Sequence, residues 1–205
     1  GSMWGYHIAG IWQDVYLLAL PKVHVEDVYV KPLVSKNMLE LEVTVQNNTE
    51  KKADLQIQGK INEWVNLAGT DINSAPVPAW KLGQEALKVA PVKVAIPANA
   101  SSKVVLQVPV SGELNYWTPE QPNLYAVLLS LQAKKETLDM KYERFGWREW
   151  TLQGTTQYLN GKPYQLRGDS WHFMGIPQMT RRYAWAWFTA IKGMNANAVR
   201  PHAQI

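Results

Sequence analysis

Residues 39–45 read Leu39-Glu40-Leu41-Glu42-Val43-Thr44-Val45, apolar and polar in strict alternation. That period of two puts every second side chain on one face and specifies a half-buried strand. The pattern recurs. Val23, Val25, Val28 and Val30 form a first strand whose alternation slips near Asp27, as at a β-bulge. Leu55, Ile57, Ile61 and Trp64 form a third. Val89, Val92, Val94 and Ile96 form a fourth, and Val104, Leu106, Val108 and Val110 a fifth. Residues 124–131 are mostly apolar, as in a central sandwich strand, and Leu138, Met140 and Tyr142 belong to a last one. Asn47-Asn48 and Pro97 to Asn99 read as turns, and residues 66–86 as a long irregular insertion. Seven or so short strands at this spacing predict an immunoglobulin-like sandwich over 21–144. Tyr125, just after the Pro122 turn, enters a late strand where it can cap a sandwich corner.

The flanking segments differ. Gly1-Ser2-Met3 reads as a tag remnant, and residues 10–17 as one strand entered by a glycine turn and ended by Pro21. A lone strand has unpaired edges, so 1–20 is expected to be the last strand of a preceding β domain. From 145 the pattern changes. A short β link leads to Leu159-Asn160-Gly161-Lys162, where Asn-Gly accepts the positive φ angles of a type I′ hairpin. Tyr164 to Arg167 is expected to be a strand. Thr180 is an N-cap candidate, followed by a helix with Ala184, Trp187, Phe188 and Ile191 on one apolar stripe, Trp187 in its core. Residues 197–200 form another strand. Strand, helix and strand imply a parallel unit.

Composition narrows the classes. The chain has no cysteine, so neither a disulfide framework nor a thiolate metal site is available. Net charge is +4, but the basic residues are scattered in pairs at most, which argues against a nucleic-acid surface. No apolar run approaches the length of a membrane helix. His7 and His24 have no partner pattern and read as surface residues, and no histidine–carboxylate set has metal-ligand spacing. No metal or other cofactor is expected. Ten tryptophans suit both sugar platforms and core filling.

Five segments, in order, resemble glycoside hydrolase family 2, the group of β-galactosidases, β-glucuronidases and β-mannosidases. Residues 10–17, Gly-Ile-Trp-Gln-Asp-Val-Tyr-Leu, resemble the closing strand of its N-terminal sugar-binding jelly roll. Residues 117–125, Trp-Thr-Pro-Glu-Gln-Pro-Asn-Leu-Tyr, resemble a segment of its immunoglobulin-like domain. Phe145-Gly146-Trp147-Arg148 resembles its link to the barrel. Residues 159–168, from Leu-Asn-Gly-Lys-Pro to Gly168, resemble the opening of the (β/α)8 barrel, and Asn197-Ala198-Val199-Arg200 resembles barrel strand two.

The resemblance implies a mainly β chain: an immunoglobulin-like sandwich followed, over 145–205, by the first β-α-β elements of a barrel that is not completed. It implies a retaining exo-glycosidase whose two glutamates sit on later barrel strands, about 5 Å apart. No catalytic residue is then expected here, and the chain alone is expected to be inactive. Substrate-binding candidates are His172, a pocket histidine or a loop one; Arg200, a contact to the nucleophile or a salt-bridging barrel residue; Asp169, a hydroxyl ligand or a loop cap; and Trp171, a sugar platform. His202 stands two residues after Arg200 where the family has three, and a one-residue slip on a strand reverses the face. The implied partner is carbohydrate, with a homo-oligomer through the exposed barrel elements also expected, and a periplasmic or secreted bacterial setting fits. The alternative is a non-catalytic carbohydrate-binding or structural sandwich.

Overall fold

The computed structural model describes residues 15–68, 78–171 and 181–201. It is mainly β. Strands β1 (Val23–Leu33), β2 (Met38–Asn47) and β5 (Ala100–Pro109) form one antiparallel sheet in the order β1-β2-β5. Strands β3 (Ala53–Asn66), β4 (Trp80–Ile96), β6 (Tyr125–Ala133) and β7 (Glu136–Phe145) form the other, in the order β4-β3-β6-β7. The two sheets enclose one core, as in an immunoglobulin-like sandwich. Alternation sets it: Leu39, Leu41, Val43 and Val45 are fully buried, and across the core Ile57, Ile61, Val127, Leu129 and Leu131 face them.

The expected slip in β1 is real. Register shifts between Val25 and Asp27. The bulge frees backbone groups that β7 takes up: Val25 N donates to Asp139 Oδ2 at 2.8 Å, and Lys141 Nζ donates to the Glu26 carbonyl. Side chains thus stitch the open edges of the two sheets together, which also blunts those edges. Asn47, expected in a turn, ends β2 and is wholly buried. Its Nδ2 donates to the carbonyls of Lys51 and Pro97 at 2.9 Å, and its Oδ1 accepts from Thr49 N and Thr49 Oγ1. One satisfied amide ties two sandwich corners together.

Several expectations need correction. Residues 80–86 are not an insertion but the start of the long β4, paired with β3 from Trp80↔Asn66 onward. Three register shifts, a Gly and a Pro interrupt the apolar period of this edge strand, which hid it. His24 is not a surface residue: it is 7% exposed, and its Nδ1 donates to the Pro21 carbonyl at 2.8 Å. Residues 15–20 are exposed and lie in no strand; the rest of the N-terminal segment, with His7, is outside the described residues.

After the sandwich comes a three-stranded meander, β8 (Trp150–Gln153), β9 (Thr156–Leu159) and β10 (Lys162–Pro163). Asn160 and Gly161 both have positive φ, 52° and 75°, as the predicted type I′ turn requires. Then β11 (Gly168–Trp171) pairs in parallel with β12 (Ala198–Pro201), with helix α1 (Arg181–Gly193) between them in sequence. The first of these strands is Gly168–Trp171 rather than Tyr164–Arg167, because residues 164–167 join no ladder. Thr180 lies outside the described residues. Trp187 is 42% exposed, not core, and on the same stripe Phe188 is exposed while Ala184 and Ile191 are half-buried.

Candidate functional site

Two joints stand out, one tying the sandwich to the hairpin after it and one holding the strand–helix–strand unit together, and the motifs of the sequence build both. The first surrounds Trp117. Tyr125 and Phe145 pack ring to ring at 5.9 Å, and Tyr125 Oη accepts from Asn115 N at 2.8 Å, the expected corner cap. Burial raises the Tyr125 phenol above its ordinary 10, with the Asn115 hydrogen bonds acting against that. Trp117 N donates to the Trp147 carbonyl at 3.0 Å, and the Arg148 guanidinium lies 4.1 Å from the Trp117 ring centroid. Gly146 is needed because a β carbon there would sit 2.9 Å from Trp117. From the hairpin, Asn160 Nδ2 donates to the Trp117 carbonyl at 3.1 Å, and Asn160 Oδ1 accepts from Glu149 N at 2.9 Å. Glu149 in turn holds Ser35 N at 2.7 Å and Ser35 Oγ at 3.2 Å.

The second joint surrounds Asn197. Its Oδ1 accepts from Arg167 N at 2.7 Å, its Nδ2 donates to the Gln165 carbonyl at 3.0 Å, and its own N donates to the Arg167 carbonyl at 2.8 Å. Arg167 Nε donates to the Asn195 carbonyl at 3.1 Å. Asn195, with φ 61°, closes the helix in the left-handed conformation usual at a C-cap. These three residues line up the start of β11 with that of β12. The sequence places Arg167 at the end of one strand and Asn197 at the start of another but gives their side chains no role, although the paired asparagines flanking Ala196 are the signal of a capped helix entering a strand.

The candidate residues fall as follows. Asp169 is the second residue of β11, and its Oδ1 accepts from Ser170 N at 2.7 Å. Arg200 is the third residue of β12, exposed, and pairs with Ser170. Asp169 pairs with Val199, so the alternation of the ladder puts Asp169 and Arg200 on opposite faces. Trp171 closes β11 opposite Pro201, so the two strands end level. His172 and His202, the next residues in sequence, are outside the described residues, so the structure brings neither to a site. Among the described residues no group of three His, Cys, Asp or Glu could hold a metal ion, and no helix is long and apolar enough to cross a membrane.

A sandwich, a short meander and a parallel strand–helix–strand unit follow one another along the chain. The family follows from the sequence match: the model for glycosyl hydrolases family 2 covers residues 23–148, more than half the chain, and the chain belongs to that family. It is 26% identical over 200 residues to a β-galactosidase of Priestia megaterium, covering 95% of this chain and 18% of that one. It is 29% identical to a putative β-glucuronidase of Formosa agariphila, over 93% of this chain and 21% of that one. A β-glucuronidase structure from Bacteroides uniformis superposes with a TM-score of 0.62 at 25% identity, over 88% of this chain and 21% of that one. A β-galacturonidase structure from Eisenbergiella tayi, bound to galacturonate, superposes with a TM-score of 0.69 at 18% identity, over 90% and 30%, a likeness of fold. The chain spans about a fifth of the length of the curated relatives it matches.

Proposed function

We propose that this chain is the sandwich and barrel-opening portion of a retaining, β-galactosidase-like exo-glycosidase, and that it is inactive alone. Hydrolysis with retention needs two carboxyl groups about 5 Å apart, one to protonate the leaving oxygen and one to attack the anomeric carbon. Residues 145–205 hold two acids, Glu149 and Asp169. Glu149 is committed to Ser35 at the first joint. Asp169 is left, and one carboxyl cannot fill both roles. That single remaining acid, on β11, carries the reading.

In this reading β11 and β12 are the first two barrel strands, and Trp171, His172, Arg200 and His202 contribute to the sugar pocket at their C-terminal ends, while Asp169, on the ladder face opposite Arg200, lies outside it. Arg200 would keep a glutamate supplied by a later strand ionised. Later barrel elements would cover the exposed Trp185, Trp187 and Phe188 of α1. A second copy is the other cover, and sedimentation of the purified chain separates the two.

The test is turnover of 4-nitrophenyl β-galactoside and β-glucuronide. The 205-residue chain should give none above buffer. A chain extended through a whole barrel should hydrolyse one of them and release the β anomer first. Turnover by the 205-residue chain, or release of the α anomer, refutes the proposal.

A further inference from the structure

The outer face of the four-stranded sheet carries an open groove of about 740 Å³ that the catalytic reading does not use. Its centre is one row across all four strands. Lys88 on β4 pairs with Lys60 on β3, Lys60 with Leu128 on β6, and Leu128 with Tyr142 on β7. Gln58, Ser130 and Met140 form the next row on one side; Asn62, Ala126 and Arg144 form it on the other. The face points outward because Ile57, Ile61, Val127 and Leu129 alternate into the core.

Two features of that row are costly unless something binds there. Lys60 and Lys88 stand directly opposite each other, and like charges at paired positions destabilise a sheet. Both are exposed, and neither has an ion-pair partner among the described residues. The row also ends in exposed apolar surface, Tyr142 at 52%, beside Met140 of the next row at 72%. Tyr142 is buttressed: its ring lies 5.6 Å from Trp80 and 6.3 Å from Trp64, and those two indoles stack at 3.8 Å. Strand spacing puts Lys60 about 10 Å from Tyr142, across the apolar Leu128 floor.

We propose that this groove binds a uronate-bearing saccharide chain as a non-catalytic site. A pyranose offers an apolar C–H face to the Tyr142 ring. The carboxylate of a neighbouring uronate unit meets the Lys60 and Lys88 ammonium groups and relieves their repulsion. Gln58 and Ser130 are placed for hydroxyls. An acidic peptide fits less well. Extended peptides attach at a free sheet edge through backbone hydrogen bonds, whereas β3 and β6 are interior strands whose backbones are already paired. The site stands on the sandwich alone and does not depend on the proposed glycosidase activity.

Calorimetric titration of the 205-residue chain with hexagalacturonate, cellohexaose and hexa-aspartate tests it. Saturable heat is expected with hexagalacturonate and not with the other two. Tyr142→Ala, and separately Lys60→Ser with Lys88→Ser, should each weaken binding about tenfold or more, while Tyr142→Phe keeps it. Thermal melts establish that each variant is folded. Backbone amide shifts on titration should cluster at 58–60, 88, 128–130 and 140–142. No saturable heat, equal binding of hexa-aspartate, an unchanged affinity in folded Tyr142→Ala, or shifts confined to 168–171 and 198–200 would each overturn the proposal.

Discussion

Gly168 lies so close to Ala198 that a β carbon on the glycine would stand 1.9 Å from the Ala198 carbonyl oxygen. The contact is backbone against backbone, so no side-chain rotation relieves it. Gly168→Ala should therefore separate the two strands. Because the second joint is remote from the sandwich core, the main melting transition should hold within about a degree. Hydrogen-exchange protection at 168–171 and 198–201 should fall sharply. A matched loss across the sandwich would show that the unit is not a local one.

Gly59 offers the contrasting case. A β carbon there would meet the Leu128 carbonyl oxygen at 2.1 Å, but in the centre of the four-stranded sheet. Gly59→Ala should destabilise the whole sandwich by roughly 2–4 kcal/mol, since two interior strands must move apart. Chemical denaturation reads this as a lower midpoint, and an unchanged one would contradict the close approach.

Tyr125 enters β6 with its ring in the core and its hydroxyl on Asn115 N. Tyr125→Phe keeps the ring and orphans a part-buried amide, which should cost about 1–3 kcal/mol. The phenol's raised pKa means the folded state favours the protonated form. Its contribution is present below the ordinary 10 and is lost as pH rises through the higher folded value. The wild type should lose stability above pH 10 more steeply than Tyr125→Phe does, as pH-dependent melts would show.

The sandwich was legible because strict alternation maps directly onto burial, as at Leu39 to Val45, and because Asn-Gly at 160–161 has few conformations open to it. The start of β4 was not, since an edge strand with three register shifts needs no apolar period. His24 was misjudged because its partner, the Pro21 carbonyl, leaves no mark in composition. Of the candidate site, the sequence supplied the residue types and the parallel pairing. It could not supply the strand's start at Gly168, which a backbone contact and the Asn197 side chain decide. Nor did it reveal that the motifs are structural joints around Trp117 and Asn197.

Asn160 couples the hairpin to both sides of the first joint while holding a φ of 52°. Asn160→Gly loses two side-chain hydrogen bonds, about 2 kcal/mol, but keeps the left-handed conformation. Asn160→Ala loses the same bonds and adds about 1 kcal/mol of backbone strain. Calorimetric melts of both variants should therefore rank wild type above Asn160→Gly above Asn160→Ala. Reversal of the last two would mean that the turn relaxes out of the type I′ conformation.

On the outer face of the three-stranded sheet, Glu42 is held between Lys103, at 2.8 Å, and Lys31. The hydrogen bond from Lys103, then that from Lys31, lowers the Glu42 carboxyl below its ordinary 4.5. Lys31 is raised above 10.5, first by its hydrogen bond to Glu42. The signs give two limbs. A depressed carboxyl adds stability that is present above 4.5 and lost as pH falls through the lower folded value; a raised lysine adds stability that is lost as pH rises past 10.5. Both groups are solvent-facing, so the effect is small and screened by salt. Glu42→Gln should flatten the acid limb of a melting-temperature profile as pH falls from the carboxyl's ordinary 4.5 through its lower folded value. Added salt of about 1 M should erase most of the difference from wild type. A profile for Glu42→Gln that falls as steeply as wild type at low salt would mean that this triad contributes nothing to acid stability.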